Sequence, residues 1–514
     1  MAYERPGVYV QEGTFATNIQ QNTGSTAAAF LGTAARGPIT PTLITTWAMY
    51  KALFGDLEIA YDLGYAVYHY FANGGQAAYV ARVADDAAVV AAGALTGTPA
   101  AGSLTNLVLL NAKSVGSWGN NLTADYTFQA ETLTDVTTAP KANINSLFTV
   151  SVSLSGTTVE SWSGLSLNPE SNRYVSTVLN NYSSYVTSAS VATIASGVAI
   201  AVTGVGVADY VAGTAFSGGS NGATVDATDW SNTINRYDTI TPGLLFNLVG
   251  QTSSTIVNNA ISVMAARGNS FLIIDSPLTA TTKQTLADAV EPYTKSSYAA
   301  VYGPALKMFD PTKTGAAAVR DTYPGGAVAG AFVRSEVSRG IAKSPAGYGL
   351  DLRNVYGLLA NLTETEQGTL YKENQLNLFT LVPGVGVIIN GSRTQARNTS
   401  EKFVSVRRSL NFLKDMLKTS TASALFEPND DRLWTDLTVR ITALLNTFWA
   451  TGGLKGRTAQ EAFFVNCSSA NNTAVDIENG VVNIEVGVAL QSPAEFIVIT
   501  ISQWTGGSTV TTNI

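Results

Sequence analysis

The chain has 514 residues, of which only 13% are charged against 45% hydrophobic. One hydrophobic core rarely serves such a length, so roughly two to four domains are expected, and the charge is about half the usual share. The net charge of −7, with no Lys or Arg run, excludes a basic nucleic-acid-binding face, and the single cysteine, Cys467, excludes an intrachain disulfide. A surface this poor in charge suits a chain that buries itself against its own copies; a compositional bias of the source is the other reading.

Residues 1–25 read as an extended arm. Pro6 and Gly7 break helix, Val8, Tyr9 and Val10 form a short strand, and the polar stretch that follows has no helical period. MAYERPGVYVQE carries no basic segment followed by an apolar one, so no secretory leader is expected. Such a short strand without a local partner needs a sheet elsewhere, including one on another chain. Residues 26–95 then read as α/β. AAAFLGTA is a strand ending in the turn Arg36-Gly37-Pro38, Leu43 and Ile44 are a second short run, and 47–54 and 61–71 are helices closed by Gly55 and by Asn73-Gly74-Gly75. AYVARV is the next strand.

Between 96 and 235 Thr, Ser, Gly and Ala dominate, and alternating strands such as FTVSVSLSGTTVESW recur. This predicts a β-rich insertion with one amphipathic helix over 173–186. Residues 191–213 are apolar enough to raise a membrane span, but Asp209 interrupts them, and Val198, Ile200 and Val202 alternate with Ala, which is strand spacing. From 240 the α/β alternation returns: LLFNLV, a helix over 255–266, FLIID, a helix over 281–290, YAAVY and a helix over 328–337. That order predicts a parallel sheet with right-handed crossovers. In the last part VGVIIN is a strand, 401–417 a helix, and 433–449 a helix with Leu433, Leu437, Ile441, Leu444, Leu445 and Phe448 on one stripe. Three strands close the chain: AFFVNC, VNIEVGVAL and AEFIVITIS.

Catalytic groups are sparse. His69 is the only histidine and lies within YAVYHYF; with one cysteine it cannot build a Cys/His zinc site, and no GxSxG elbow accompanies it. Asp275 ends FLIID, where α/β enzymes place carboxylates, yet no second acid is near in sequence and GVG at 384–386 is no phosphate loop. A turn or helix-cap role is expected for Asp275, a solvated turn for Asp85-Asp86, and N-capping for Asp430-Asp431. No catalytic, cofactor or metal site is expected.

Read end to end, the chain resembles the contractile tail sheath family of myoviruses and related contractile particles. The resemblance runs in order through Pro6 to Glu12, Phe30-Leu31-Gly32, Arg36-Gly37-Pro38, Phe54-Gly55, GSWGN at 116–120, FSGGSNG at 216–222 and AAVYGP at 299–304. It continues through Tyr323-Pro324-Gly325-Gly326, Gly330, Arg339-Gly340, Pro345-Ala346-Gly347, Asn374 to Asn377, Gly384 to Val387, Gly391-Ser392-Arg393-Thr394 and Phe426-Glu427-Pro428-Asn429. Trp434, Trp449 and Gly452-Gly453-Leu454 complete it. Each motif alone is weak; their joint order over most of the chain is specific. Residues 125–215 match least. The chain departs at Ile389-Asn390-Gly391, where many relatives have a Trp before the glycine, and at Ile341-Ala342, which replaces a common aromatic.

The resemblance implies a multidomain α/β and α+β tail-sheath fold. An arm (1–25) would lead into a middle α/β domain (26–95 and 236–364) carrying the β-rich outer insertion (96–235). An inner, tube-facing C-terminal domain (365–493) and a linking strand and tail (494–514) would follow. It also implies hexameric rings stacked around a tail tube, with baseplate and tail terminator proteins as further partners, assembly in the host cytoplasm and residence in the virion. A bacteriocin or other contractile injection particle is the alternative, and an α/β enzyme the alternative of another class. Val8, Tyr9 and Val10 at one end and Phe496, Val498 and Thr500 at the other are the candidate inter-subunit strands. Arg407, Arg408, Lys414, Lys455 and Arg457 are candidate tube-facing cations, from their charge and position.

Overall fold

The computed structural model describes residues 26–99, 105–128, 141–142, 147–191, 200–201, 210–397 and 400–495. Its centre is an eight-stranded sheet in the order Thr42–Ile44, Ala78–Arg82, Ala28–Gly32, Leu245–Leu248, Phe271–Asp275, Ala299–Gly303, Leu376–Val382, Gly386–Asn390. The six inner strands are parallel, and the two edge strands run antiparallel to their neighbours. The βαβ spacing of the sequence predicts this arrangement, because parallel neighbours need crossovers. The domain boundary differs from expectation. The strands Leu376–Val382 and Gly386–Asn390, assigned from sequence to the C-terminal unit, complete the α/β sheet. Leu376 pairs in parallel register with Val301, deep in the same layer.

Both faces of the sheet are covered, and its four central strands are buried throughout. Alternate residues go to opposite cores. Phe271 and Ile273 join Phe30, Leu245 and Tyr302 on one face, while Leu272 and Ile274 join Leu31, Phe246 and Val301 on the other. The first face packs the helices Asp62–Ala72 and Gly325–Arg339, which cross at very close range. A Cβ at Gly326 would lie 2.1 Å from the carbonyl oxygen of Ala66, and one at Gly330 would lie 2.5 Å from that of Tyr70. The glycines of the Tyr323-Pro324-Gly325-Gly326 and Gly330 motif are therefore contact residues, required where two helix backbones touch.

The insertion holds a five-stranded and a four-stranded antiparallel sheet around its own core of Leu107, Val108, Leu110, Tyr126, Phe148, Val150 and Leu179. Its helix is shorter than predicted, Val175–Tyr182. Ser183 Oγ donates to Glu160 (2.6 Å) and accepts from the Val186 amide, and Val186 starts a strand paired with Ala112. Strands at Ile200–Ala201 and Tyr210–Ala215 agree with the strand reading of 191–213; residues 192–199 and 202–209 lie outside the described residues. No described helix is long and apolar enough to cross a membrane. Two quoted motifs form the insertion's base. Asn120 of GSWGN donates to the Gly219 carbonyl (2.9 Å) and accepts from its amide (2.8 Å), and Asn221 accepts from Ser117 (3.0 Å). The base is tied to the α/β unit by Arg36, which stacks 4.2 Å over Tyr185, and by Arg82, which donates to the Val115 carbonyl.

In the C-terminal unit the helices Val404–Thr421 and Asp431–Ala450 pack with the two-stranded antiparallel sheet Phe463–Asn466 and Glu485–Val488. Asp430 accepts from the Leu433 amide (2.9 Å), the N-cap expected of it. The buried stripe of the second helix is Trp434, Leu437, Ile441, Leu445 and Phe448; Leu433 and Leu444 flank it half-buried. The strand expected over AEFIVITIS lies outside the described residues from Phe496 onward.

Gly326→Ala should lower stability by about 1–3 kcal/mol, because the methyl meets backbone that cannot yield without parting the helices. The alanine's helix propensity, about 1 kcal/mol, offsets only part of this. A denaturant midpoint equal to or above wild type would contradict the close-crossing account.

Candidate assembly site

No group of three or more His, Cys, Asp or Glu among the described residues could hold a metal ion. His69 is a core residue on the helix Asp62–Ala72. It is buried against Tyr68, its ring nitrogens have no hydrogen-bond partner among the described residues, and burial pulls its pKa down to about 4. The ring is thus neutral at physiological pH.

Asp275 is fully buried at the end of Phe271–Asp275, and its surroundings explain why an acid is there. The helix Gly325–Arg339 starts after Pro324, which offers no capping side chain. Asp275 supplies the acceptor from across the sheet, taking the Gly325 amide (2.6 Å), Asn247 Nδ2 (3.0 Å) and the Gly250 amide (3.4 Å). Orphan N–H groups at a helix start favour such an acceptor. Burial nonetheless dominates and pushes the carboxyl up to about 6, with these donors opposing. The expected cap role is what the geometry provides, reached from a different element. The Asp85-Asp86 turn is engaged as well as exposed: Asp85 accepts from Ala223 (3.0 Å) and Asp86 from Asn232 (2.8 Å).

The candidate linking residues Val8, Tyr9, Val10, Phe496, Val498 and Thr500 all lie outside the described residues. Thr26 and Glu495, the first and last residues described, are both held by charged side chains. Thr26 donates its amide and its hydroxyl to Glu336 Oε1 (both 2.9 Å), and the hydroxyl also reaches Oε2 (3.0 Å). Glu336 is paired with Arg408, both side chains being 5% exposed or less. At the other end Glu495 accepts from Arg393 Nε (2.8 Å) and Nη2 (2.6 Å) in a two-pronged pair, and from the Tyr371 hydroxyl. Arg393 also stacks 4.1 Å over the Tyr371 ring, and Lys402 stands 3.9 Å from Glu495. Desolvation would raise the Glu495 carboxyl, but the Arg393 and Tyr371 donors outweigh it and hold it below the usual glutamate range. The Arg393 backbone is fixed in turn by Asn377, which accepts from its amide (2.6 Å) and donates to its carbonyl (2.8 Å).

Two tube-facing assignments need correction. Arg407 and Arg408 are 1% and 3% exposed. Arg407 pairs with Glu401 (2.7 Å) and stacks over Tyr298 (4.3 Å), and Arg408 pairs with Glu336 over Phe332. The first turns of Val404–Thr421 pack on the α/β unit, so both guanidinium groups serve internal ion pairs. Lys414 is half-buried and donates to the Tyr298 hydroxyl (3.2 Å). Lys455 and Arg457 are exposed on the loop after Gly453. Sequence reasoning placed Glu495 in a strand-prone run without a role and quoted Arg393 only within a motif. The one available signal was an acid opening the apolar run AEFIVITIS.

The raised carboxyl of Asp275 gives a signed pH effect. A group whose folded pKa lies above its unfolded value, ~4 for Asp, contributes stability fully below ~4 and loses it as pH climbs through about 6. Comparing melting midpoints of wild type and Asp275→Asn from pH 4 to 8 should show a decline across this window in wild type that the variant lacks. Parallel profiles would contradict it.

Residues 396–503 match the family model described as phage tail sheath C-terminal domain. No curated protein matches the chain. Among solved structures, the sheath tail protein from Listeria innocua aligns with a TM-score of 0.60 at 13% identity, covering 92% of this chain and 96% of that one. The PVC sheath complex of an extracellular contractile injection system in the contracted state aligns at 0.58 and 19% identity, covering 98% of both chains. The contracted helical sheath of the anti-feeding prophage aligns at 0.56 and 18%, covering 98% and 100%. At such identities these likenesses establish the fold. The chain thus carries a C-terminal segment matching the phage tail sheath C-terminal domain on, over nearly its full length, the fold of contractile sheath proteins.

Proposed function

We propose that this protein is the structural subunit of a contractile tail sheath. Copies polymerise as hexameric rings around a tail tube and, on a baseplate signal, shorten to drive the tube through a host envelope for genome delivery. The match of residues 396–503 to a sheath domain carries this reading, supported by the full-length fold likeness to sheaths, two of them contracted. The partners are other copies of the chain, a tail tube protein, and the baseplate and tail terminator proteins; the place of action is the virion. The protein acts as a mechanical part, not as an enzyme.

In this reading the C-terminal unit lies innermost, the α/β unit in the middle and the β-rich insertion outermost. The arms at both ends, through Val8, Tyr9 and Val10 and through Phe496, Val498 and Thr500, add strands to sheets of neighbouring copies. The sheet of Phe463–Asn466 and Glu485–Val488 suits a receiver. Two strands alone are marginal, and their outer edges pair with no other described strand. Strand addition uses main-chain hydrogen bonds, so rings stay connected while domains rotate. Shortening then needs no nucleotide: a metastable lattice releasing on the order of a few kcal/mol per subunit suffices, because many subunits move together.

Deleting residues 1–20 should leave a folded subunit that forms no long sheaths; normal striated cylinders in negative-stain micrographs would refute the role of the arm. Of the five cations first considered, Lys455 and Arg457 are the exposed pair left to grip the tube. Reversing both to Glu should leave self-assembly intact while sheaths lose the tube in co-sedimentation; unchanged tube recovery would remove them from the interface.

A further inference from the structure

Thr26, just before the first sheet strand, and Glu495, just after the two-stranded sheet, are both fastened to one short stretch. Thr26 is held by Glu336 and Arg408, and Glu495 by Arg393, Tyr371 and Lys402. Arg393 forms a bridge with Phe403, the residue that opens the helix bearing Arg408, and the Val404 amide donates to the Ser392 carbonyl (3.0 Å). Both anchoring arginines therefore belong to stretches hydrogen-bonded to each other, residues 392–397 and 400–408. Together these join the α/β sheet, through Asn377 on the inner strand Leu376–Val382, to the first C-terminal helix. The last described residue consequently returns to the α/β unit instead of leaving from the two-stranded sheet.

We propose that these two clamps are the anchor points through which tension from neighbouring copies, carried by the two linking arms, enters the subunit. The proposal rests on the arm reading given under Proposed function. Its physical basis is directional. A hydrophobic contact slides under load, whereas a two-pronged Arg–carboxylate pair fixes both distance and angle. Buried pairs of this kind add little net stability relative to apolar packing, yet losing one partner is strongly disruptive, because the other charge is stranded. Such a clamp fixes where Thr26 and Glu495 sit, so load arriving at either residue is passed to the parallel sheet and the Val404–Thr421 helix together. Without the clamps a tug on either arm would first peel the chain end from the body, lengthening the link and loosening the ring-to-ring register.

The test compares full-length Glu495→Gln, Glu336→Gln and Tyr371→Phe with deletions of 496–514 and of 1–20. The readouts are the lowest protein concentration giving sheaths by negative stain, and the melting midpoint of the unassembled subunit. The deletions should abolish long sheaths. Glu495→Gln should melt within a few degrees of wild type, Glu336→Gln should melt lower because it strands the buried Arg408, and each should need about tenfold more protein to assemble, the effect of ~1.4 kcal/mol per link. Tyr371→Phe removes one hydrogen bond to Glu495 and should give a smaller rise in the same direction. If the deletions abolish sheaths while the Gln variants assemble at the wild-type concentration, the clamps are not anchors and the arm reading stands. If the deletions assemble normally, the arm reading itself falls. Should a Gln variant fail to fold, Tyr371→Phe decides, and an unchanged assembly concentration for it overturns the proposal.

Discussion

The buried pair of Glu336 and Arg408 is the contact on which the arrangement of parts depends. Glu336 lies on the helix Gly325–Arg339, packed on the sheet, Arg408 on the first C-terminal helix, and Thr26, just before the strand Ala28–Gly32, closes the group. Three stretches far apart in sequence are thereby held in one geometry. Desolvating two charges costs several kcal/mol, recovered only if every partner is in place, so the group favours one relative placement of the units over neighbouring ones. The Arg393–Glu495 pair repeats this logic at the other end, with Tyr371 filling the remaining acceptor position.

Elsewhere the fold relies on close backbone approach and on polar stitching. Gly326 and Gly330 let the helices Asp62–Ala72 and Gly325–Arg339 touch, and Asp275 caps the second of them from the sheet. The insertion is fastened by side-chain amides meeting backbone, Asn120 with Gly219 and Asn221 with Ser117, and by Arg36 between Tyr185 and Trp118. The Arg36 joint lies where the insertion meets the α/β unit, and the glycine contacts and the Asp275 cap lie inside that unit.

Much of the architecture was legible before any coordinates. The strands around FLIID and YAAVY, the helix ending at Gly55 and the cap at Asp430 follow from period, turn residues and capping chemistry. The glycine motifs were visible but unexplained, since a glycine in sequence does not say what comes near it. The helix over 173–186 was overlong because a tertiary contact, Ser183 with Glu160, stops it after Tyr182. The domain boundary was early because the strands of 376–390 join a sheet whose other members lie some 70 residues or more upstream. Pairing across such a gap leaves no local trace.

Arg407 and Arg408 mark the same limit for the site. Helical charge reads as solvated when nothing indicates a partner, and theirs, Glu401 and Glu336, are assigned by packing. The sequence by itself determined the low charge, the ordered turn motifs and the alternating α/β periodicity, all local or compositional properties. Only the tertiary structure decided which charges are buried, which glycines mark helix contacts, and that Thr26 and Glu495 meet Arg408 and Arg393. Those outcomes depend on contacts between residues up to 382 positions apart, as for Thr26 and Arg408, and a distance in space is not encoded in any short stretch of chain.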